Sequence, residues 1–158
     1  MDITLKPIGL MHSPFENKED VTANRNRDPK GFLQTRGEIE IFPEYALGLQ
    51  DIDEFSHLIV LFAFHRSETG SLWAHPPWDR KRRGVFSTRS PSRPNPIGMT
   101  IVRLLERRDN RLSVAEIDMI EGTPILDIKP YTPRDRKDTP RFGWMEDLEQ
   151  RGSKPNKT

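Results

Sequence analysis

With 158 residues, fourteen prolines, ten glycines and no cysteine, the chain has room for one domain of short elements joined by shaped turns, and it excludes a disulfide framework, a thiol nucleophile and a thiolate metal site. Neither a signal peptide nor an apolar run of membrane-spanning length is visible, so a cytoplasmic location is expected. The net charge of +1 hides an uneven distribution: from Asp79 to Arg108 nine lysines and arginines stand against Asp79 and Glu106 alone, a footprint suited to a polyanion or to a plain solvated surface.

Residues 3–10 read as an opening strand that Pro7 bends or confines to an edge. From His12 to Leu33 no period is sustained, and the polar centre at Asn24, Arg25 and Asn26 predicts a long irregular excursion. Residues 37–42 alternate, with Ile39 and Ile41 on one face and Glu38 and Glu40 on the other, as in a half-buried strand. Pro43 opens a short helix or turn. Residues 57–64 form the strongest apolar run, a buried central strand from whose end His65 and Arg66 emerge. Trp73, His75 and Trp78 fall in a Gly- and Pro-bearing loop, where they either stack on bases or pack as a lid.

The stretch 84–99 is the most constrained of the chain. Pro91, Pro94 and Pro96 fix their own φ and push Ser90, Arg93 and Asn95 towards extended geometry, so the loop can hold side chains still. Arg89 and Arg93 project from it, each a planar charged fork suited to a carboxylate or phosphate, and Gly84 and Gly98 bracket it. A polyproline ligand or an inert connector would have disordered flanks; residues 85–88 and 99–105 read instead as strands. Beyond a turn at 107–110, the buried parity of residues 112–120 switches from even (Leu112, Val114) to odd (Ile117, Met119), which predicts a bulge. A turn at 121–124 leads to a strand over 125–131. Pro140 opens a short helix with Phe142, Met145 and Leu148 on one face, and residues 152–158 form a frayed tail. The expected fold is all-β: a small single-domain β-barrel of about seven short strands, spanning residues 3–150, with peripheral loops and a short C-terminal helix.

Several chemistries have no motif here. No two glycines are one residue apart, there is no Gly-Lys-Ser/Thr loop, the four histidines lack zincin spacing, and no serine sits in a nucleophile elbow, so no metal is expected. What remains are polar clusters at strand ends: Asn24 to Asn26, His65 with Arg66, Arg89 with the proline loop, and Glu121 to Thr123 leading to Asp127, Lys129 and Tyr131.

The run from Phe86 to Gly98, followed by that from Gly122 to Tyr131, closely resembles the TsaA-like S-adenosylmethionine-binding β-barrel family, whose characterised members are tRNA methyltransferases of the TrmO type. The resemblance implies a homodimer that binds S-adenosyl-L-methionine and a tRNA anticodon stem-loop, and methylates N6 of threonylcarbamoyl-adenosine next to the anticodon. It implies donor-binding positions at Asn24, Arg25, Asn26, His65, Arg66, Arg89, Met99 and the turn Met119, Ile120, Glu121, Gly122 and Thr123. Members usually carry Pro-Arg-Gln at 24–26, leucine at 99 and aspartate at 121, and many bacterial ones continue into a further C-terminal domain; here the chain reaches only Thr158. For chemistry, Asp127, Lys129 and Tyr131 stand at alternate positions of one strand and share a face, with Asp127 as the proton-accepting or orienting group and the other two positioning substrate or donor. A methyltransferase of the same fold with another substrate and a non-catalytic donor- or RNA-binding barrel remain the alternatives.

Overall fold

The computed structural model describes residues 1–27, 30–76, 79 and 81–147. Among these, six antiparallel strands close a barrel in the order β1 (Gly9–His12), β2 (Arg36–Ile41), β7 (Arg111–Ala115), β6 (Ile97–Arg108), β3 (His57–Ala63) and β8 (Pro124–Pro130), with β8 returning to β1. The two-residue strands β4 (Trp73–Ala74) and β5 (Arg83–Gly84) pair as a separate hairpin.

Alternation along each strand fills the barrel. Ile39 and Ile41 of β2, Leu58, Val60 and Phe62 of β3, and Leu112 and Val114 of β7 all point inward and are buried. Each such side chain contributes about 1.5–3 kcal/mol of apolar burial, so the pattern that makes the strands also closes the wall. Gly98 sits opposite Phe62 in the β3–β6 register, and a Cβ there would run into the Phe62 ring, which is held edge-on against Phe64 at 5.2 Å. Gly84 has open space around it, so of the two bracketing glycines only Gly98 is required by close packing.

Several elements differ from the expectation. The opening strand starts at Gly9 and leaves Ile3 and Leu5 exposed, because ladder pairing begins after Pro7 with the Ile8 N–H donating to the Ile125 carbonyl at 2.7 Å. The supposed irregular excursion contains α1 (Lys18–Arg27), started by Asn17: its Oδ1 accepts the Asp20 N–H at 3.0 Å, and the Asp20 carboxylate takes the Asn17 N–H at 3.2 Å. Residues 85–87 form a 3₁₀ turn rather than a strand, with Val85 buried. The parity switch near residue 116 is a strand end and not a bulge: β7 stops at Ala115, Glu116 takes a left-handed φ of 66°, and Ile117 and Met119 plug the barrel end. The bulges lie elsewhere, one in β6 opposite β7 between Leu104 and Glu106, and one where β8 faces β3. At the C-terminus a 3₁₀ turn over Gly143–Met145 runs into helical residues 146–147; Phe142 and Met145 are exposed, and Leu148 lies outside the described residues with the 152–158 tail.

Candidate functional site

Antiparallel closure sends the C-terminal ends of β1, β3 and β7 and the N-terminal ends of β2, β6 and β8 to one rim. The segments that leave this rim are 13–35, 64–72, 85–96 and 116–123. They carry every donor-binding residue named from sequence except Met99, so clusters scattered over a hundred positions are brought to one end of the barrel.

The 84–99 loop is fastened from within. Arg93 Nη1 donates to the carbonyls of Thr88 at 3.0 Å and Ser90 at 3.2 Å, the Gly70 N–H reaches the Arg93 carbonyl at 3.1 Å, and the Trp144 indole N–H holds the Ser87 carbonyl at 2.8 Å. Arg93 is therefore a staple rather than a ligand clamp. Arg89 is exposed and has no hydrogen-bond or ion-pair partner among the described residues, which leaves a rigidly mounted guanidinium free for an anion.

At the end of β3, Arg66 Nη1 donates to the Glu16 carbonyl at 3.3 Å and ties this corner to the segment leading into α1, which carries Asn24. Arg25 and Asn26 fall in the last turns of α1. Partial desolvation of the His65 ring, assisted by the Arg66 charge, pushes its pKa below the ordinary 6.5 and favours the neutral imidazole. In the 119–123 turn, Met119 and Thr123 are buried, Ile120 packs against the core, and Gly122 takes φ +76°. Met119 thus serves the core, and the N–H groups of Glu121, Gly122 and Thr123 are spent on the Phe15, Met11 and Ile120 carbonyls.

The Glu121 carboxylate is engaged with β1. Oε1 lies 3.1 Å from His12 Nδ1, Oε2 accepts the Ser13 N–H at 2.8 Å, and His12 Nε2 lies 2.7 Å from Glu40 Oε2. These contacts hold Glu121 below the usual carboxylate range, the Ser13 amide being the largest cause. Sequence reasoning missed His12, because its partners are 28 and 109 positions away and no local pattern announces them. A cleft of about 500 Å³ opens beside this bridge between Arg36, Glu38, Leu105 and Ser113; of the site residues expected from sequence, Glu121 lines it.

Met99 faces outward from β6 and is paired across β3 through Leu61, whose other neighbour is Asp127. Asp127 and Met99 therefore flank Leu61 on one outer wall. Asp127 Oδ2 pairs with Lys129 Nζ at 2.9 Å, while Oδ1 accepts the Ile128 N–H at 2.9 Å. Tyr131 lies beyond: its N–H donates to the His57 carbonyl at 3.1 Å, and its ring meets His57 edge-on. At roughly 3.3 Å per residue, Asp127 is about 13 Å and Tyr131 about 26 Å along the chain from Thr123. Asp127 and Lys129 are brought together, whereas Tyr131 sits at the opposite rim.

On the basic segment, Arg82 stacks over the Trp73 ring at 3.8 Å, Arg83 is neutralised by Asp79 at 2.5 Å, and Lys81 is exposed. Phe86, 77% exposed, projects nearby in sequence from its 3₁₀ turn. Arg80 and Trp78 lie outside the described residues. Among the described residues no group of three His, Cys, Asp or Glu is placed to hold a metal ion, and no helix is long and apolar enough to cross a membrane.

Comparison with known proteins gives a consistent set of likenesses. A family model described as the tRNA-methyltransferase O N-terminal domain matches residues 10–136. A Pyrococcus abyssi protein named a probable S-adenosyl-L-methionine-binding protein is 45% identical over 145 residues, 91% of this chain and 77% of its own length. The tRNA (adenine(37)-N6)-methyltransferase of Escherichia coli K12 is 39% identical over 137 residues, 80% of this chain and 56% of its own. The crystal structure of TrmO from Pseudomonas aeruginosa matches with a TM-score of 0.73 at 34% identity, covering 91% of this chain and 63% of that one. The chain thus spans less than two thirds of the length of these last two proteins.

Proposed function

Because the chain belongs to the tRNA-methyltransferase O N-terminal domain family, we propose that it is an S-adenosylmethionine-dependent tRNA methyltransferase acting on N6 of threonylcarbamoyl-adenosine next to the anticodon. The observation that carries this reading is Arg89: an exposed guanidinium with no partner among the described residues, on a stapled loop that leaves the same rim as the segments carrying every other donor-binding candidate but Met99. When bound, S-adenosylmethionine supplies an electrophilic methyl group on a sulfonium, together with an amino-acid carboxylate and an adenine. Arg89 suits the carboxylate, and the carbonyls of Glu121 and Gly122 with Asn24 suit the adenine edge, the turn's N–H groups being engaged with the Phe15, Met11 and Ile120 carbonyls. His65, held neutral, adds no positive charge beside a sulfonium.

An exocyclic adenine nitrogen loses a proton as it takes the methyl group, and its lone pair is delocalised, so the proton must be oriented or accepted. Asp127 is the group assigned to that task, supported by its place beside Leu61 on the wall that also carries Met99. Lys129 holds its carboxylate in place. A metal or protein nucleophile is not required by such a transfer; positioning and exclusion of water carry much of it. Lys81, Arg82 and the exposed faces of Trp73 and Phe86 suit the phosphates and unstacked bases of an RNA loop.

A homodimer is part of the proposal, supported by Ile97, Met99 and Ile101, a row of exposed apolar side chains along the outer face of β6. Light scattering that gives a monomer mass with activity retained would contradict it. A second reading is a donor-binding barrel with another substrate, which the name of the Pyrococcus abyssi relative favours, since it refers to donor binding alone. Calorimetry with S-adenosylmethionine, followed by transfer of its labelled methyl group to tRNA, separates the two: binding and transfer are expected, and binding without transfer would favour the second.

A further inference from the structure

We propose that His12 is a positioning residue of the donor pocket: through the Glu40–His12–Glu121 bridge it fixes the turn 119–123 against the segment that leads into α1. The inference rests on the donor-binding reading of that turn. Five contacts sew the turn to residues 11–15: the His12 and Ser13 bonds to the Glu121 carboxylate at 3.1 and 2.8 Å, the Glu121 N–H to the Phe15 carbonyl at 2.7 Å, the Gly122 N–H to the Met11 carbonyl at 2.9 Å, and the Met11 N–H to the Thr123 carbonyl at 2.9 Å. Residues 16 and 17 then start the helix that carries Asn24. The backbone bonds set the path of the chain. The His12 contact is the one whose strength depends on solution conditions.

A neutral imidazole has one N–H and can donate to only one of the two carboxylates, turning a lone pair towards the other; an imidazolium donates to both. The charges around it favour the second form. From β2, Glu40 contacts the ring directly and Glu38 lies beside it; from β7, Arg111 binds Glu38 and lies 3.5 Å from Glu40; Glu121 approaches from the turn, and Arg36 lines the same cleft. Three carboxylates thus face two arginines, and the imidazolium brings the cluster to neutrality. In keeping with this, the Glu40 hydrogen bond, the largest cause, raises the His12 pKa above 6.5 against an opposing desolvation, and Glu40 and Glu121 are lowered. Because the raised group is the cation, the bridge is fully formed below 6.5 and is lost as pH rises through the folded-state value. Above it the 119–123 turn loses one tether and donor affinity falls. His65 titrates on the other side of 6.5, so the two histidines act in separate windows.

The test is calorimetry from about pH 6 to about pH 9, bracketing the range in which a raised histidine titrates, on the parent, His12→Gln and Glu40→Gln. The probe is S-adenosylhomocysteine, the demethylated donor, which tolerates alkaline solution. His12→Gln is expected to bind roughly three- to tenfold more weakly at the acid end, the effect of one charge-assisted hydrogen bond partly exposed to water, and to match the parent at the alkaline end. Glu40→Gln should move the parent's fall to lower pH. Titration of the ligand's own amino group is common to all three proteins and cancels in their ratios. A constant ratio of parent to His12→Gln across the range would overturn the role of His12, whereas no binding by the parent at any pH would overturn the donor reading itself.

Discussion

Arg89→Ala separates the ligand clamp from the scaffold that carries it. The Arg89 side chain is exposed and makes no hydrogen bond or ion pair among the described residues, so its removal leaves every staple of the loop in place: Arg93 to the Thr88 and Ser90 carbonyls, Gly70 to Arg93, and Trp144 to Ser87. Stability is expected to change by no more than about 0.5 kcal/mol, as for a surface substitution away from special features. Donor affinity should fall by about 1.5–3 kcal/mol, the range for a hydrogen bond between charged groups, which is roughly 10- to 150-fold in Kd. Arg93→Ala is the contrast: it frees two carbonyls at 3.0 and 3.2 Å, and should lower both the melting temperature and donor affinity. The assay is calorimetry with S-adenosylmethionine paired with thermal unfolding of the same samples. An Arg89→Ala protein that binds the donor like the parent would refute the clamp, and one as destabilised as Arg93→Ala would refute the division between clamp and staple.

Gly98→Ala should destabilise the barrel by about 1–3 kcal/mol, because the new methyl meets a Phe62 ring that is buried and braced by Phe64; a denaturation midpoint equal to the parent's would show that the ring can move aside. Asp127→Asn keeps the shape and removes the charge, so single-turnover methyl transfer should slow while donor affinity changes little; an unchanged rate in a folded variant would pass the proton to water or a backbone carbonyl. Replacing Lys81 and Arg82 by alanine should flatten the salt dependence of tRNA binding by roughly 0.7 of a logarithmic unit per lost phosphate contact, with donor affinity retained. Equal slopes for variant and parent would assign these side chains to an ordinary solvated surface.

Where one residue's local pattern decided its fate, the sequence was a good guide. Strict alternation placed Ile39 and Ile41 inside and Glu38 and Glu40 outside, and the apolar run of β3 ran through the barrel wall to deliver His65 and Arg66 at its end. The α1 helix is hidden because, of its described side chains, only Val21 packs against the core, so no period of 3.6 arises; its one legible sign is the Asn17 to Asp20 capping pair. Strand parity misleads at Glu116, where a left-handed residue, and not an extra one in a ladder, reverses the side chains. The alternation of Asp127, Lys129 and Tyr131 recurs against Leu61, Ile59 and His57 of β3, but only the first two are joined, at 2.9 Å, while Tyr131 lies past the strand end with its ring on His57. Proximity between His12, Glu40 and Glu121 is a product of barrel closure, to which a single sequence without pairing information is blind.

Nucleoside mass spectrometry bears most directly on the proposed activity. Transfer RNA carrying threonylcarbamoyl-adenosine would be incubated with the protein and S-adenosylmethionine bearing a deuterated methyl group, then digested to nucleosides. One deuterated methyl group is expected on the N6 of threonylcarbamoyl-adenosine, lost when Arg89 is replaced by alanine at a donor concentration near the parent's Kd. Donor binding by calorimetry with every nucleoside unlabelled would contradict it.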